Sequence, residues 1–181
     1  DKGTLIDITG ASTFTQTFDP AATLGSGWYC YYRNTGTGDV TLSPDGAETI
    51  DALTTFVMYP GEGRLIQCTG SAFYSVVLSP FYKNFTATGT FYKPPGYLVY
   101  GFAMCGAGGS GGGGDTNASA SAIGGCGGGG GSLKTGYVLA SSLSATETIT
   151  CGAGGTSSAA EVNGVDGGNT TAFAHTAFAG G

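Results

Sequence analysis

The side chains that could perform acid–base or nucleophilic chemistry are few and widely spaced in this sequence of 181 residues. Cleavage of a glycosidic bond needs two carboxyl groups that converge to within about 5–10 Å. The glycine-rich second half of the chain carries four acidic residues in unrelated surroundings, namely Asp115, Glu147, Glu161 and Asp166. A Ser-His-Asp triad would have to use the single histidine, His175. We therefore predict that the chain is not an enzyme and has no catalytic residues.

The cysteines follow neither a metal-binding nor a disulfide pattern. They number five, and no CxxC pair occurs among Cys30, Cys68, Cys105, Cys126 and Cys151. A disulfide framework normally shows an even count in a shorter chain, and a zinc site needs paired cysteines or histidines. We expect free, mostly buried cysteines, no metal and no other cofactor.

The first glycine run contains a GxGxxG pattern, Gly106 to Gly111, directly after an apolar strand. A dinucleotide-binding fold needs a helix at that point, with its N-terminus at the pyrophosphate. The run continues as glycine to Gly114, and each glycine costs a helix about 1 kcal/mol relative to alanine. No Gly-Lys-Ser or Gly-Lys-Thr follows any run, so a phosphate-binding P-loop is excluded as well.

Two interpretations of the glycine runs stay open. One is a flexible linker. The other is an ordered scaffold in which side-chain-free backbones lie close together with their N–H and C=O groups paired. The second is favoured, because the runs lie between apolar strands and carry Ile123 and Cys126.

Charge and hydropathy exclude several partners. The formal net charge is −6 and the pI is about 4.4, and no basic cluster is present that could bind phosphates. We therefore expect no nucleic-acid partner and no binding to an anionic membrane surface. The longest apolar run, residues 97–105, is far shorter than the roughly 20 residues of a membrane span, so we also expect no membrane insertion.

Composition changes near residue 85. Residues 1–85 hold 10 glycines and 12 charged residues, whereas residues 86–181 hold 26 glycines and 6 charged residues. The first part shows short alternating segments between turn signals, and no window has a convincing helical period. We predict an all-β protein: a small antiparallel sandwich or barrel module at 1–85, then a glycine-rich β domain with extended polyglycine segments at 86–181.

Three local features sharpen that prediction. In the strand at 28–33, Trp28, Cys30 and Tyr32 share one face. The turn at 60–63 is expected to join the flanking strands as a hairpin. Residues 97–105 are apolar on both faces, which predicts a strand that is buried on both sides.

Longer sequence patterns resemble those of phage tail fibres. In the first half they are Gly27–Asn34, Gly38–Leu42, Pro44–Asp51, Phe56–Glu62 and Gly70–Tyr74. In the second half they are Phe91–Gly96, Cys105–Gly109, Gly136-Tyr137, Thr148–Ser158 and Gly167–Thr171. The first half resembles a module that recurs in these fibres, and the second is similar to the glycine-rich domain of tail-fibre tips. The resemblance implies a receptor-binding fibre end in the virion, commonly a homotrimer, assembled in the host cytoplasm with other tail-fibre or baseplate proteins.

If the chain is an adhesin, its receptor is a glycan or an outer-membrane protein of the host surface. Sugar sites combine an aromatic face with amides and carboxylates. The candidates are the polar residues between glycine segments, with one tyrosine as a stacking ring: Asp115, Thr116, Asn117, Tyr137, Asn163, Asp166 and Asn169. The alternative is a purely structural fibre component, in which Tyr29, Tyr31 and Arg33 form a subunit interface.

Overall fold

The computed structural model of the protein describes residues 2–116 and 123–181. Two compact units form. One comprises Asp1–Asn84 and Tyr92–Leu98, and the other comprises Phe85–Phe91 and Val99–Gly181. The sequence places a boundary after residue 85, and the short segment 92–98, which it assigns to the glycine-rich domain, lies in the first unit.

The first unit is built from two β-sheets. Its elements in chain order are β1 (Leu5–Ile8), β2 (Phe14–Thr17), α1 (Ala21–Leu24), β3 (Tyr29–Asn34), β4 (Val40–Ser43), β5 (Phe56–Met58), β6 (Gly63–Cys68) and β7 (Phe73–Ser79). One sheet has the order β1-β3-β6-β7 and the other β2-β4-β5. β1 pairs with β3 and β2 with β4 in parallel, so the sheets are mixed rather than purely antiparallel. Because β5 and β6 lie in different sheets, the predicted hairpin at 60–63 is wrong.

One apolar cluster joins the two sheets of the first unit. Cys30 and Tyr32 of β3 and Val40 and Leu42 of β4 belong to it, and all four are nearly inaccessible to solvent. Aromatic rings fill the space between them, with the Phe18 and Phe73 ring centroids 5.2 Å apart. Inward-facing residues from two sheets around one core define a small β-sandwich, and the all-β class is confirmed.

The opposite face of the four-stranded sheet carries a row of partly exposed apolar residues. Strand register places Leu5, Tyr31, Leu65 and Val76 in one row across β1, β3, β6 and β7. Leu5 and Val76, at the two edges of the row, are both more than half exposed. We call these four residues the outer sheet face. A contiguous exposed apolar surface of this kind is characteristic of interaction surfaces.

The first unit also contains a buried ion pair. The side chains of Glu62 and Arg64 are both 0% exposed, and Arg64 Nε donates to Glu62 Oε1 at 2.7 Å. Arg64 also donates to Ser75 Oγ at 2.6 Å and to the carbonyl of Pro95 at 2.8 Å. The hydroxyl of Tyr97 donates to Glu62 Oε1 at 3.2 Å. The pair therefore fixes segment 92–98 to the first unit.

The second unit contains short strands and long irregular segments. Its elements are β8 (Gly89–Tyr92, whose last residue belongs to the first unit), β9 (Val99–Cys105), β10 (Leu133–Leu139), a 3₁₀ turn (Ala140–Ser142), β11 (Thr146–Ile149), β12 (Thr170–Ala172) and β13 (His175–Ala177). β10 pairs with β9, β11 with β8, and β12 with β13. Within the described residues, helix is limited to the four residues of α1 and the 3₁₀ turn.

An aromatic cluster forms the apolar centre of the second unit. The ring of Phe91 packs edge-on against Tyr100 and Phe173, with centroids 5.4 Å from each. His175 stacks on Phe102 with centroids 4.9 Å apart. The histidine is thus a packed ring of this cluster.

The β9–β10 ribbon does not match the expectation that residues 97–105 are buried on both sides. Tyr100 and Met104 face inward, but Val99, on the opposite face, is half exposed. Across the ribbon Val99 is paired with Leu139, which is exposed as well. Only one face is covered, because β9 belongs to a two-stranded ribbon rather than to the middle of a larger sheet.

The glycine segments form an ordered array that we call the glycine lattice: residues 106–115, 123–132, 152–168 and 178–181. Segment 106–115 donates backbone hydrogen bonds to segment 123–132 from residues 106, 109 and 115, at 2.9–3.0 Å. It donates to segment 162–168 from residues 107, 110 and 113, at 2.8–3.2 Å. Donors to each neighbour thus recur at multiples of three residues, which is the period of the polyproline II conformation.

Several positions of the glycine lattice leave no room for a side chain. A Cβ atom built on Gly109 would lie 2.7 Å from the carbonyl carbon of Gly181, and one on Gly113 would overlap the carbonyl oxygen of Ala159. No glycine of the described part of the second unit has a positive φ. These glycines are therefore needed for close approach rather than for a left-handed backbone. The interpretation of the runs as ordered, paired backbone is confirmed.

The β12–β13 hairpin carries local strain that a single substitution should relieve. Its two-residue turn places Phe173 at φ 52° and Ala174 at φ 61°. A positive φ in this region costs an L-residue about 1–2 kcal/mol. Glycine avoids that cost, but its larger loss of backbone entropy on folding takes back about 0.5–1 kcal/mol. Ala174→Gly should therefore raise the unfolding free energy by about 0.5 kcal/mol, measured by thermal denaturation.

The matched control is Ala103→Gly in β9. Ala103 is also exposed and in the same unit, but its φ is not positive. Only the entropy cost applies there, so the substitution should destabilise the unit by about 0.5–1 kcal/mol. Equal effects of the two substitutions would contradict strain in the turn.

Candidate binding site at the loop end of the glycine lattice

Two polar loops meet where the central segment of the glycine lattice ends. Asp115 is its last residue, and the backbone N–H of Asp115 donates to the carbonyl of Ile123 at 3.0 Å. The hydroxyl of the next residue, Thr116, donates to Glu161 Oε1 at 2.8 Å. The backbone N–H of Glu161 donates to the carbonyl of Gly114 at 3.1 Å. Residues 114–116 and Glu161 are therefore tied together by both backbone and side-chain hydrogen bonds.

An open pocket of about 460 Å³ lies at this end of the lattice. Its polar side chains are those of Asp115, Glu161, Asn163 and Ser110, and its less polar ones are those of Ile123, Val162 and Cys126. Glycine backbone completes the wall. We call it the loop-end pocket. Its side chains offer carboxylate and amide oxygens, which accept hydrogen bonds from hydroxyl, ammonium or guanidinium groups.

Glu161 is a residue that the sequence did not single out for binding. It has φ 63°, a left-handed conformation that is uncommon for a residue with a side chain. Strained non-glycine residues of this kind cluster at functional sites. The sequence shows Glu161 only as an isolated acidic residue. Its conformation is set by the contacts with Gly114 and Thr116, which the local sequence does not reveal.

The structure brings some of the predicted site residues together. Asp115 and Asn163 line the loop-end pocket, and Thr116 bonds to its Glu161. Asn163 is exposed, and its carbonyl accepts a hydrogen bond from Ser158 Oγ at 2.8 Å. Asn117 lies outside the described residues.

Three other predicted residues are not among the described residues that line this pocket. Tyr137 is 82% exposed on β10, opposite Gly101 of β9. The side-chain oxygen of Asn169 accepts a hydrogen bond from the backbone N–H of Ala179 at 2.9 Å, so this amide holds the C-terminal segment. Asp166 is exposed and is not among the described residues that line the pocket.

Other chemistry-bearing groups do not converge. All five cysteines are free; two are buried, while Cys105 and Cys126 are exposed, so the expectation of mostly buried thiols holds only in the first unit. Within residues 2–116 and 123–181, no group of three or more His, Cys, Asp or Glu residues is arranged to hold a metal ion. In the same described part, no helix is long and apolar enough to span a membrane.

Comparison with known proteins gave no relative: no protein-family model, no curated protein sequence and no solved structure matches the chain. The resemblance to phage tail fibres therefore stays a prediction from sequence patterns. The loop-end pocket and the lattice that carries it are the structural features that bear on function.

Proposed function

We propose that this chain is the adhesin module of a phage tail fibre, which binds a host bacterial surface receptor through its loop-end pocket. The observation that carries the proposal is the placement of an open polar pocket on a backbone array whose central segment, 106–115, is hydrogen-bonded to two neighbouring segments. Binding residues are disproportionately found on loops held by a rigid scaffold. In this proposal the chain acts in the virion at the distal end of the fibre, as a homotrimer attached to other tail-fibre or baseplate proteins.

The chemistry of the pocket favours neutral or cationic receptor groups. Asp115 and Glu161 supply two carboxylates, and residues 99–181 contain one lysine and no arginine. Acceptor oxygens suit the hydroxyl groups of a glycan or the basic side chains of an outer-membrane protein loop. Ile123 and Val162 add apolar contact beside these acceptors.

A cell-binding assay tests this proposal. The double variant Asp115→Asn/Glu161→Gly removes both carboxylates, and glycine suits the positive φ at 161. We expect binding to host cells to fall at least roughly tenfold, or about 1.4 kcal/mol, while the chain keeps a cooperative thermal unfolding transition. Two treatments of the cells then distinguish the receptor classes. Protease treatment should abolish binding to a protein receptor, and periodate oxidation should abolish binding to a glycan.

The matched control is Asp45→Asn, which removes an exposed carboxylate of the first unit. It should leave binding unchanged. If the double variant binds as well as the wild type, the loop-end pocket is not the receptor site.

The second candidate function is a purely structural fibre component. It is favoured by the outer sheet face, where Leu5 and Val76 are more than half exposed around Tyr31 and Leu65. Tyr29 and Arg33 lie on the same side of β3 as Tyr31. This candidate predicts that the purified chain does not bind host cells and that Val76→Lys disrupts fibre assembly.

A further inference from the structure

Asn163 and Gly164 form the one Asn-Gly pair in the sequence, and both residues are exposed. Asparagine is among the chemically labile residues of proteins. Its side-chain carboxamide can be attacked by the backbone nitrogen of the next residue. A glycine at that position has no Cβ to shield the nitrogen, so the pair combines access with the least steric hindrance.

Ser158 is hydrogen-bonded to the peptide group between these two residues. Its hydroxyl donates to the carbonyl oxygen of Asn163 at 2.8 Å and lies 3.4 Å from Ser110 Oγ. The carbonyl of Asn163 and the N–H of Gly164 belong to the same peptide group. A hydrogen bond to that oxygen stabilises the anion that forms when the N–H loses its proton, as donors do at other developing oxyanions.

The backbone on either side is hydrogen-bonded to segment 106–115, and the peptide itself is left exposed. The carbonyls of Val162 and Val165 accept hydrogen bonds from Gly113 and Ser110 at 2.8 and 2.9 Å. Among the described residues, no carbonyl accepts from the N–H of Gly164. The nitrogen that would attack is therefore not held by a helical or sheet hydrogen bond.

We propose that Asn163 is a site of spontaneous deamidation. The deprotonated nitrogen of Gly164 attacks Cγ of Asn163, the C–N bond of the carboxamide breaks, and ammonia leaves with a proton from solvent. The resulting succinimide is opened by one water molecule at either carbonyl, which gives aspartate or isoaspartate. No oxidant or reductant takes part. The product places a third carboxylate in the loop-end pocket, next to Asp115 and Glu161.

The reaction does not depend on the proposed receptor-binding function and can be followed on the purified chain. The full-length protein is incubated in mildly alkaline buffer prepared with ¹⁸O-water, then digested and analysed by mass spectrometry. We expect Asn163 to convert roughly tenfold faster than Asn34, Asn84 or Asn169, a barrier lower by about 1.4 kcal/mol. Aspartate and isoaspartate should both appear, each with one ¹⁸O atom. Conversion of Asn163 no faster than that of Asn34, Asn84 and Asn169 overturns the proposal.

The role of Ser158 is tested by Ser158→Ala, with Ser157→Ala as the matched control and Ser158→Thr as the variant that keeps the hydroxyl. We expect a several-fold slower conversion in Ser158→Ala alone, and no difference between the variants after unfolding in guanidinium. Equal rates for Ser158→Ala and Ser157→Ala in the folded state overturn the activation by Ser158. If Ser158→Ala does not fold, Ser158→Cys takes its place, because a thiol is only a weak hydrogen-bond donor. Equal rates for Ser158→Cys and Ser157→Ala in the folded state then overturn the activation.

Discussion

Gly113→Ala is expected to unfold the glycine-rich unit. The added Cβ would overlap the carbonyl oxygen of Ala159, and the backbone cannot retreat without losing the hydrogen bond from Gly113 to the carbonyl of Val162. Backbone against backbone offers no side chain that could rotate away. We expect a loss of about 3–5 kcal/mol, at the upper end of single-substitution effects, which is a large fraction of the stability of a domain. Thermal or denaturant unfolding of the purified protein measures it.

The lattice itself provides a matched control. Gly124, Gly127 and Gly130 have no atom within 4 Å of a Cβ built on them, and none has a positive φ. Alanine at these positions should be neutral or should stabilise by about 0.4–1 kcal/mol, because it restricts the unfolded chain. A Gly127→Ala variant as unstable as Gly113→Ala would contradict the packing described for the lattice.

An alanine scan of residues 124–131 distinguishes three conformations of the same sequence. The polyproline II lattice predicts tolerance at every third position, because the open positions are 124, 127 and 130. A β-strand would give tolerance at every second position, and a flexible linker would tolerate alanine throughout. Gly125→Ala and Gly128→Ala should both be strongly destabilising, since each added Cβ would overlap a carbonyl oxygen, of Gly112 and Gly109 respectively.

The sequence predicted those parts of the fold in which side-chain alternation carries the information. Cys30 and Tyr32 are buried, as the alternation in β3 indicates, and Tyr29 points to the other face. That the glycine runs are ordered could be predicted, because they lie between apolar strands. Their three-residue period could not, because a run of identical residues contains no pattern from which a register can be read. The exposed face of β9 was missed for a related reason: apolar residues on both faces do not reveal how many strands will flank them.

The candidate site was only partly predictable. Asp115, Thr116 and Asn163 stand out as polar residues that interrupt or flank glycine runs, and the structure brings them to one end of the lattice. Glu161 could not be identified in this way, because its left-handed backbone depends on contacts with residues about 45 positions away in the chain. The bond between Asn169 and Ala179 is also a tertiary contact without a local sequence signal.

The second large effect concerns the buried pair Glu62 and Arg64 in the first unit. Burial raises the pKa of Glu62, and the adjacent Arg64 guanidinium opposes that rise. The guanidinium lies 4.6 Å from the centroid of the Phe56 ring and donates to Ser75 and Pro95 as well as to Glu62. These contacts depend on the guanidinium group of arginine, which is planar and carries several N–H donors. Arg64→Lys is therefore not a conservative substitution here.

Glu62→Gln is expected to destabilise the first unit by about 3–5 kcal/mol, because it leaves the Arg64 charge buried without a counter-ion. The glutamine keeps the volume and an acceptor oxygen for the N–H of Tyr59, which donates to Glu62 Oε2 at 3.1 Å. The loss is therefore electrostatic rather than steric. Denaturant unfolding measures it. Hydrogen exchange should also show faster opening of segment 92–98, whose Pro95 carbonyl is held by Arg64.

Two comparisons isolate this effect. The double variant Glu62→Gln/Arg64→Met removes both charges, and it should be more stable than Glu62→Gln alone, since no uncompensated charge stays buried. Asp7→Asn breaks the ion pair between Asp7 Oδ1 and Arg33 Nε, which are 2.6 Å apart. Both side chains are largely exposed to solvent, so the effect of this substitution on stability should be small. If Glu62→Gln is no more destabilising than Asp7→Asn, the buried pair does not fix segment 92–98. In that case the neutral hydrogen bonds and ring contacts around Arg64 would have to do so, and Arg64→Met would be the most damaging substitution of the series.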